Sequence, residues 1–217
     1  ADSYAKAGSE NPKIYFYAVL QRAISLGLKG DDAQKISILK YAVQMNPESE
    51  HYSELQYELG RTYVQTGDNT GASACFADIA ANHKSSPFYP KSLLELGMIS
   101  VNKHDVNSAI EYYKRVITEF PSSPEAQDAL SGLENVYQES DRSDEFLAFL
   151  DKTGLSSVKS ATEKEIMLYN TGERQFLNSN YTSAINTLKR YITEYPQGNR
   201  SANAYYYLGE SYGKLNK

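Results

Sequence analysis

A period of 37 residues runs through this chain and constrains its fold more than any other feature. Leu-Gly and similar dipeptides place their second residue at Gly60, Gly97, Glu134, Gly172 and Gly209, spaced 37, 37, 38 and 37. Ser49, Ser86, Ser123 and Ser160 follow one another at 37, 37 and 37. The runs AIEYYKRVITEFP and AINTLKRYITEYP, whose ITE strings lie 75 residues apart, are then the same part of the third and fifth repeats. A chain repeated at this interval stacks supersecondary units, each touching its neighbours.

Each period holds two helix-length apolar patterns. In SLLELGMISVNKH, Leu93, Leu96, Gly97 and Ser100 fall at i, i+3, i+4 and i+7. In SAIEYYKRVITEF, Ala109, Ile110, Tyr113, Val116, Ile117 and Phe120 share one stripe. Turns rich in Gly, Asn, Asp and Ser separate them, and no strand-like alternation competes. Ser86-Pro87 and Ser123-Pro124 read as helix starts, a capping hydroxyl followed by proline at the first helical position. Ser160 and Glu163 have capping-box spacing.

Composition narrows the function. The 217 residues are 41% hydrophobic and 23% charged with net charge −5, so the chain is a folded one without a nucleic-acid footprint. No apolar run is long enough for a transmembrane helix, so no direct membrane insertion is expected. One cysteine, Cys75, rules out an intrachain disulfide, which suits a reducing compartment or an envelope protein that avoids thiols. The opening ADSYAKAG has neither an initiator Met nor a signal peptide, so a processed form or a piece of a longer protein is expected.

These residues resemble the tetratricopeptide repeat, a helix–turn–helix with Leu-Gly and an aromatic on helix A. Its helix B carries a small residue, then an aromatic, then a closing proline. Repeat three matches at Leu96, Gly97, Ala109, Tyr113 and Pro121, and repeat two at Leu59, Gly60, Tyr63, Ala72 and Phe76. Repeat five matches at Gly172, Ala184, Leu188 and Pro196. Repeat one has Arg22-Ala23 for Leu-Gly. Repeat four has Glu134 for glycine, Phe146 at the small position and no closing proline. The resemblance implies an all-α right-handed superhelix: an N-terminal extension or linker over 1–12, then a single array over 13–217 of five helix pairs and one final helix. A second resemblance, carried by YP or FP-x-S and the aromatic-rich LGE-x-Y helices, is to bacterial cell-envelope arrays. It implies a periplasmic or outer-membrane-associated location, with the cytoplasm as alternative.

Catalytic chemistry finds no constellation. His51, His83 and His104 fall in different repeats, read as solvent-exposed turn residues, and form no pair at metal-ligand spacing. Cys75 beside Phe76 reads as a buried small hydrophobe. Ser37–Lys40 and Ser156–Lys159 both satisfy SxxK without its companion motifs. The glycine-rich turns lack a phosphate-loop ending, and the acidic stretches lack calcium-loop spacing. No enzyme activity, metal or cofactor is expected.

The family resemblance implies a groove lined by helix A faces that holds a protein or peptide partner. Its positions are Glu54, Tyr57, Glu58 and Arg61 in repeat two, and Lys91, Leu94, Glu95 and Met98 in repeat three. They continue with Asp128, Ser131 and Asn135 in repeat four, and Ile166, Tyr169, Asn170 and Glu173 in repeat five. In the last helix they are Asn203, Tyr206, Tyr207 and Glu210. The set reads as acidic and tyrosine-studded, and it lacks the Lys/Asn/Arg clamp for a C-terminal carboxylate. Most of the 19 tyrosines read as packing, Tyr63, Tyr113, Tyr137 and Tyr212 foremost. The expected function is a non-catalytic interaction scaffold. The alternatives are a glycan-binding module of an outer-membrane uptake system and a purely structural segment. In the last helix, Tyr205, Leu208 and Tyr212 read as an uncovered apolar stripe, so a longer array or self-association through that face is expected.

Overall fold

The computed structural model describes the backbone of residues 12–45 and 47–216, with side chains from residue 15 onward. Among the described residues there are eleven α-helices, one short 3-10 turn and no strand. They are α1 (Pro12–Leu28), α2 (Asp32–Met45), α3 (Tyr52–Gln65), α4 (Asn69–Asn82), α5 (Tyr89–Asn102) and α6 (Val106–Glu119). There follow α7 (Pro124–Glu139), α8 (Ser143–Thr153), the 3-10 turn Ser156–Val158, α9 (Ala161–Leu177), α10 (Tyr181–Glu194) and α11 (Ser201–Leu215). The chain divides into two compact units that part between Ala129 and Leu130, within α7. The fold is all-α, made of tandem helix–turn–helix repeats, as the period requires. Apart from Pro12, which opens α1, the expected extension over 1–12 lies outside the described residues.

The first unit holds the antiparallel pairs α1/α2, α3/α4 and α5/α6, with α2 also packed on α3 and α4 on α5. Its construction repeats residue for residue. Gly30, Gly67 and His104 take positive φ at the same point of three successive turns, at 74°, 81° and 57°. The next residues, Asp31, Asp68 and Asp105, cap the following helices. Their carboxylates accept from the backbone N–H of Gln34, Gly71 and Ser108. Each such cap is worth about 1 kcal/mol. Helix α6 then buries Ala109, Ile110, Tyr113, Val116 and Ile117 on one stripe, and each large apolar side chain contributes about 1.5–3 kcal/mol. Across the α5/α6 pair, the Tyr89 hydroxyl donates to Glu119 at 2.8 Å and accepts from Arg115 at 2.7 Å.

The glycine–alanine register explains how closely paired helices approach. Ala72, Ala109 and Ala184 are fully buried, as expected. At the facing position, a Cβ on Gly60 would lie 2.6 Å from Phe76 Cε1, and one on Gly97 would lie 2.5 Å from Tyr113 Cε1. In the second unit a Cβ on Gly172 would lie 2.7 Å from Leu188 Cδ2. Each ring or leucine thus fills a notch that only glycine leaves open.

The second unit packs α8 on α9, α9 on α10, and α11 on both α9 and α10. Where repeat four departs from the pattern, Phe146 is fully buried at the small position, and Glu134 pairs with Lys159 at 2.7 Å. Gly154, at φ 74°, ends α8 in place of a closing proline. The expected capping box at Ser160 and Glu163 is present, and Ser123 caps α7, accepting from Ala126 N–H at 3.2 Å.

Four local expectations are corrected. Ser86-Pro87 does not start a helix: Ser86 accepts from Phe88 N–H within a turn, and α5 opens at Tyr89 with Pro90 in its first turn. Two histidines are not plain solvent-exposed turn residues. The His51 ring stacks on Phe16 with centroids 3.8 Å apart, and His83 leans on Tyr52 at 4.9 Å. A flat imidazole at a repeat junction has an aromatic face within reach, whereas His104 stays exposed. Finally, Tyr212 is 39% exposed: the buried stripe of α11 runs through Ala204 and Ser211, and Tyr212 lies at its edge with Lys189 Nζ 5.3 Å from the centre of its ring.

Cys75 is buried, and its thiol pKa is pushed up to about 11. Burial is the main cause, with the negative Asp78 adding to it and Lys40 opposing. Iodoacetamide at pH 8 should therefore alkylate the native chain at least about a hundredfold more slowly than the urea-unfolded chain. Equal rates would contradict the burial.

Candidate partner-binding face

In the first unit the helix A faces of α3 and α5 bring three expected residues together. The Tyr57 hydroxyl donates to Glu95 Oε1 at 3.3 Å, and Arg61 is close enough for its charge to act on both. The Tyr57 ring is half-buried between Phe76 at 5.5 Å and Phe88 at 5.2 Å. Lys91 Nζ stands 5.3 Å from the centre of the Phe88 ring. Burial holds the Glu95 carboxyl above the usual range, opposed by the Arg61 charge and the Tyr57 hydrogen bond. The Tyr57 phenol is raised, first by burial and then by the Glu95 charge. Leu94 is half-buried beside them, and Met98 is 49% exposed. This surface has a polar centre and apolar flanks, suited to a side chain that brings both an apolar stem and a hydrogen-bond donor.

Glu58 belongs to a different arrangement. Its carboxylate lies 2.7 Å from the ammonium of Lys35, a residue of α2 that is only 7% exposed. Lys35 is 37 residues before Ala72 and occupies the small-residue position of repeat one. A Cβ on Gly27 would meet the Lys35 stem at 3.5 Å, so the alkyl chain runs along α1 and delivers its charge to Glu58. Glu58 is thus engaged within the fold, and the acidic character expected of this face is reduced. Glu54, by contrast, stays at the start of α3 with its carboxylate 4.0 Å from His51.

In the second unit Ile166, Met167, Asn170 and Glu173 line an open cleft of about 490 Å³ together with Gln138, Ser143 and Arg174. Arg174 is fixed there by Asp141 at 2.9 Å and by the Gln138 carbonyl at 2.9 Å. Asn170 and Glu173, expected from the register, do reach this cleft. Tyr169 does not. Its ring is fully buried between Tyr191, at 5.6 Å, and the Arg200 guanidinium, 4.8 Å from its centre, and its hydroxyl donates to Glu173. It supports Glu173 from beneath instead of facing a partner. On α11, Tyr206 and Glu210 are exposed, while Tyr207 packs on Phe176 at 5.0 Å. Asp128 and Asn135 stand exposed on α7.

The pairing rule that sequence reasoning missed is a period plus one. Tyr57 meets Glu95 38 residues on, and Tyr207, 38 residues after Tyr169, lies near the same Glu173. Position −3 from one glycine faces position −2 from the next, because neighbouring helix A elements are offset by one residue. Lys35 was legible in the same way, as the one charged residue in the small-position series Lys35, Ala72, Ala109, Phe146 and Ala184.

Among the described residues no cluster of three metal-ligating side chains occurs, and no helix is long and apolar enough to cross a membrane. No curated protein matches the sequence. Two tetratricopeptide-repeat family models match, over residues 57–124 and 167–198. Solved structures of the same kind resemble the fold. A tetratricopeptide repeat protein from Parabacteroides merdae is 17% identical with a TM-score of 0.56, covering 93% of this chain and 74% of that one. YrrB, described as a TPR protein with an unusual peptide-binding site, is 16% identical with a TM-score of 0.52 over 93% and 96%. A Podosopora anserina chain of nearly identical TPR-like repeats is also 16% identical with a TM-score of 0.52, over 85% and 96%. Repeat register, glycine notches and these matches agree: residues 57–124 and 167–198 are tetratricopeptide repeats, and the chain has the fold of tetratricopeptide-repeat proteins.

Proposed function

We propose that this chain is a non-catalytic scaffold that holds a segment of a protein partner against its helix A faces, in the envelope of a bacterium. The observation that carries this reading is the Tyr57–Glu95 pair. A phenol and a carboxylate from successive repeats are held half-buried on one face, with Arg61, Leu94 and Met98 around them. A structural pair needs no exposed methionine beside it, whereas an interface uses such a polar centre with flexible apolar surroundings. The partner segment supplies an apolar side chain for Leu94 and Met98 and a donor for Glu95. YrrB's peptide-binding site supports a peptide as the class of ligand. The envelope setting rests on the YP/FP-x-S and LGE-x-Y pattern of the sequence.

The test is photo-crosslinking in intact cells, followed by fractionation. A photoreactive residue at Met98 should capture a discrete protein partner in the envelope fraction, while one at Glu111, exposed on α6, should not. Tyr57→Phe with Glu95→Gln keeps the ring stack and removes the polar centre, and should lower capture at Met98 about tenfold with unchanged helical circular dichroism. Capture at Glu111 alone, or capture indifferent to the double substitution, would remove the face from consideration.

A further inference from the structure

The open cleft of the second unit holds a carboxylate that the fold orients without neutralising. Ile166, Asn170 and Glu173 fall at i, i+4 and i+7 on α9, so they share one face of the helix and line the cleft of about 490 Å³. Glu173 is half-buried; the Tyr169 hydroxyl donates to its Oε1 at 2.9 Å, and the Tyr207 hydroxyl stands beside it. Phenols fix the carboxylate in place and bring no charge. Arg174, the cation of the cleft, is committed elsewhere: its guanidinium lies 2.9 Å from Asp141 and donates to the Gln138 carbonyl. Among the described residues no ion pair engages Glu173. The other end of the same face is apolar, with Ile166 44% exposed and Met167 half-buried beside it. The cleft lies between α7, α8 and α9, each of which already has a helix before and after it in the chain, so no further repeat is due there.

We propose that this cleft is a lysine subsite, which takes a lysine side chain from an extended segment of a protein partner. The inference rests on the reading above for taking the ligand to be a protein segment, and it adds the residue that is recognised. The charge of the lining selects a cation, since Arg174 is cancelled by Asp141 and Glu173 alone is left. About 10 Å of helix separate Ile166 from Glu173 by the rise per residue. An apolar stem that ends in a charge joins these two ends, with its methylenes over Ile166 and Met167 and its ammonium at Glu173. Lysine fits better than arginine, because Tyr169 already occupies one of the two oxygens that a guanidinium fork would use. A compact ammonium instead takes the remaining oxygen and the amide oxygen of Asn170.

The probe is the peptide GALKLAG, titrated into the isotope-labelled full chain and read by two-dimensional NMR. The Asn170 side-chain amide and the Glu173 backbone amide should shift saturably, with a Kd of about 0.1–1 mM for one charged contact in an open cleft. Norleucine in place of the peptide's lysine keeps the stem and drops the charge, and should raise Kd at least about fivefold. Arginine in its place should raise Kd at least about threefold. Glu173→Gln keeps an acceptor for Tyr169 and removes the charge. It should leave helical circular dichroism unchanged and erase the difference between the lysine and norleucine peptides. No saturable shift by about 5 mM, equal binding of the lysine and norleucine peptides, or binding indifferent to Glu173→Gln overturns the proposal. Arginine bound as tightly as lysine overturns it likewise. Cadaverine bound as tightly as the peptide would assign the cleft to a free amine and overturn it too. Capture at Met98 succeeds or fails independently of these titrations, so a failed lysine subsite and a failed Tyr57–Glu95 face are told apart.

Discussion

Glu58→Leu is expected to cost about 3 kcal/mol or more of stability, a large fraction of what a domain of this size has. The reason lies on the neighbouring helix. Lys35 is 7% exposed and its ammonium is 2.7 Å from Glu58, so removing the carboxylate leaves a buried cation without its partner. The pair itself is a different matter, because a buried ammonium and a partly buried carboxylate cost about as much to desolvate as they regain by attraction. Lys35→Met combined with Glu58→Leu should therefore recover most of the loss. Urea unfolding of the two single variants and the double variant gives the coupling directly. A Glu58→Leu chain within about 0.5 kcal/mol of wild type would mean that the lysine stem bends its ammonium back to water. The same geometry decides which substitutions test the binding face. Changing Tyr57, Glu58 and Glu95 together would confound lost contacts with lost stability, whereas Tyr57 and Glu95 can be altered without touching Lys35.

The architecture was legible because a repeat reports itself several times over. One glycine register placed five helix A elements, and one alanine register placed their partners, so an irregular repeat such as the fourth could not hide the pattern. Helix starts were less legible. Ser86-Pro87 and Ser123-Pro124 look alike, but Pro90 fits the first turn of α5 and moves that start to Tyr89. The face itself divided by what lies behind each residue. Tyr57 and Tyr169 hold the same register position, yet Arg200 and Tyr191 close over Tyr169 while Tyr57 keeps part of its ring open. No pattern of apolar residues announces that a guanidinium will stack on one of two equivalent tyrosines. Lys35 was missed for a related reason. An apolar stripe is counted by residue type, and a lysine whose stem packs while its charge finds Glu58 counts as polar.

The second large effect comes from making one substitution at two equivalent glycines. Gly97→Leu should destabilise the chain by about 3 kcal/mol or more, at the upper end of overpacking. Even the first atom added would lie 2.5 Å from Tyr113 Cε1 and 2.7 Å from Cδ1, and three further carbons follow it. Tyr113 cannot step aside cheaply, being only 3% exposed on the stripe with Val116 and Ile117. Gly209→Leu meets no such obstacle, since its Cβ would touch nothing. There the helical propensity of leucine over glycine should raise stability by about 0.5–1 kcal/mol. Thermal and urea unfolding of the two variants should thus move in opposite directions from one parent. Equal losses would show that side chains already pack against Gly209 in solution. Equal gains would mean that the Gly97 notch relaxes freely, and that close approach of α5 and α6 is a preference of the sequence and not a requirement of the fold.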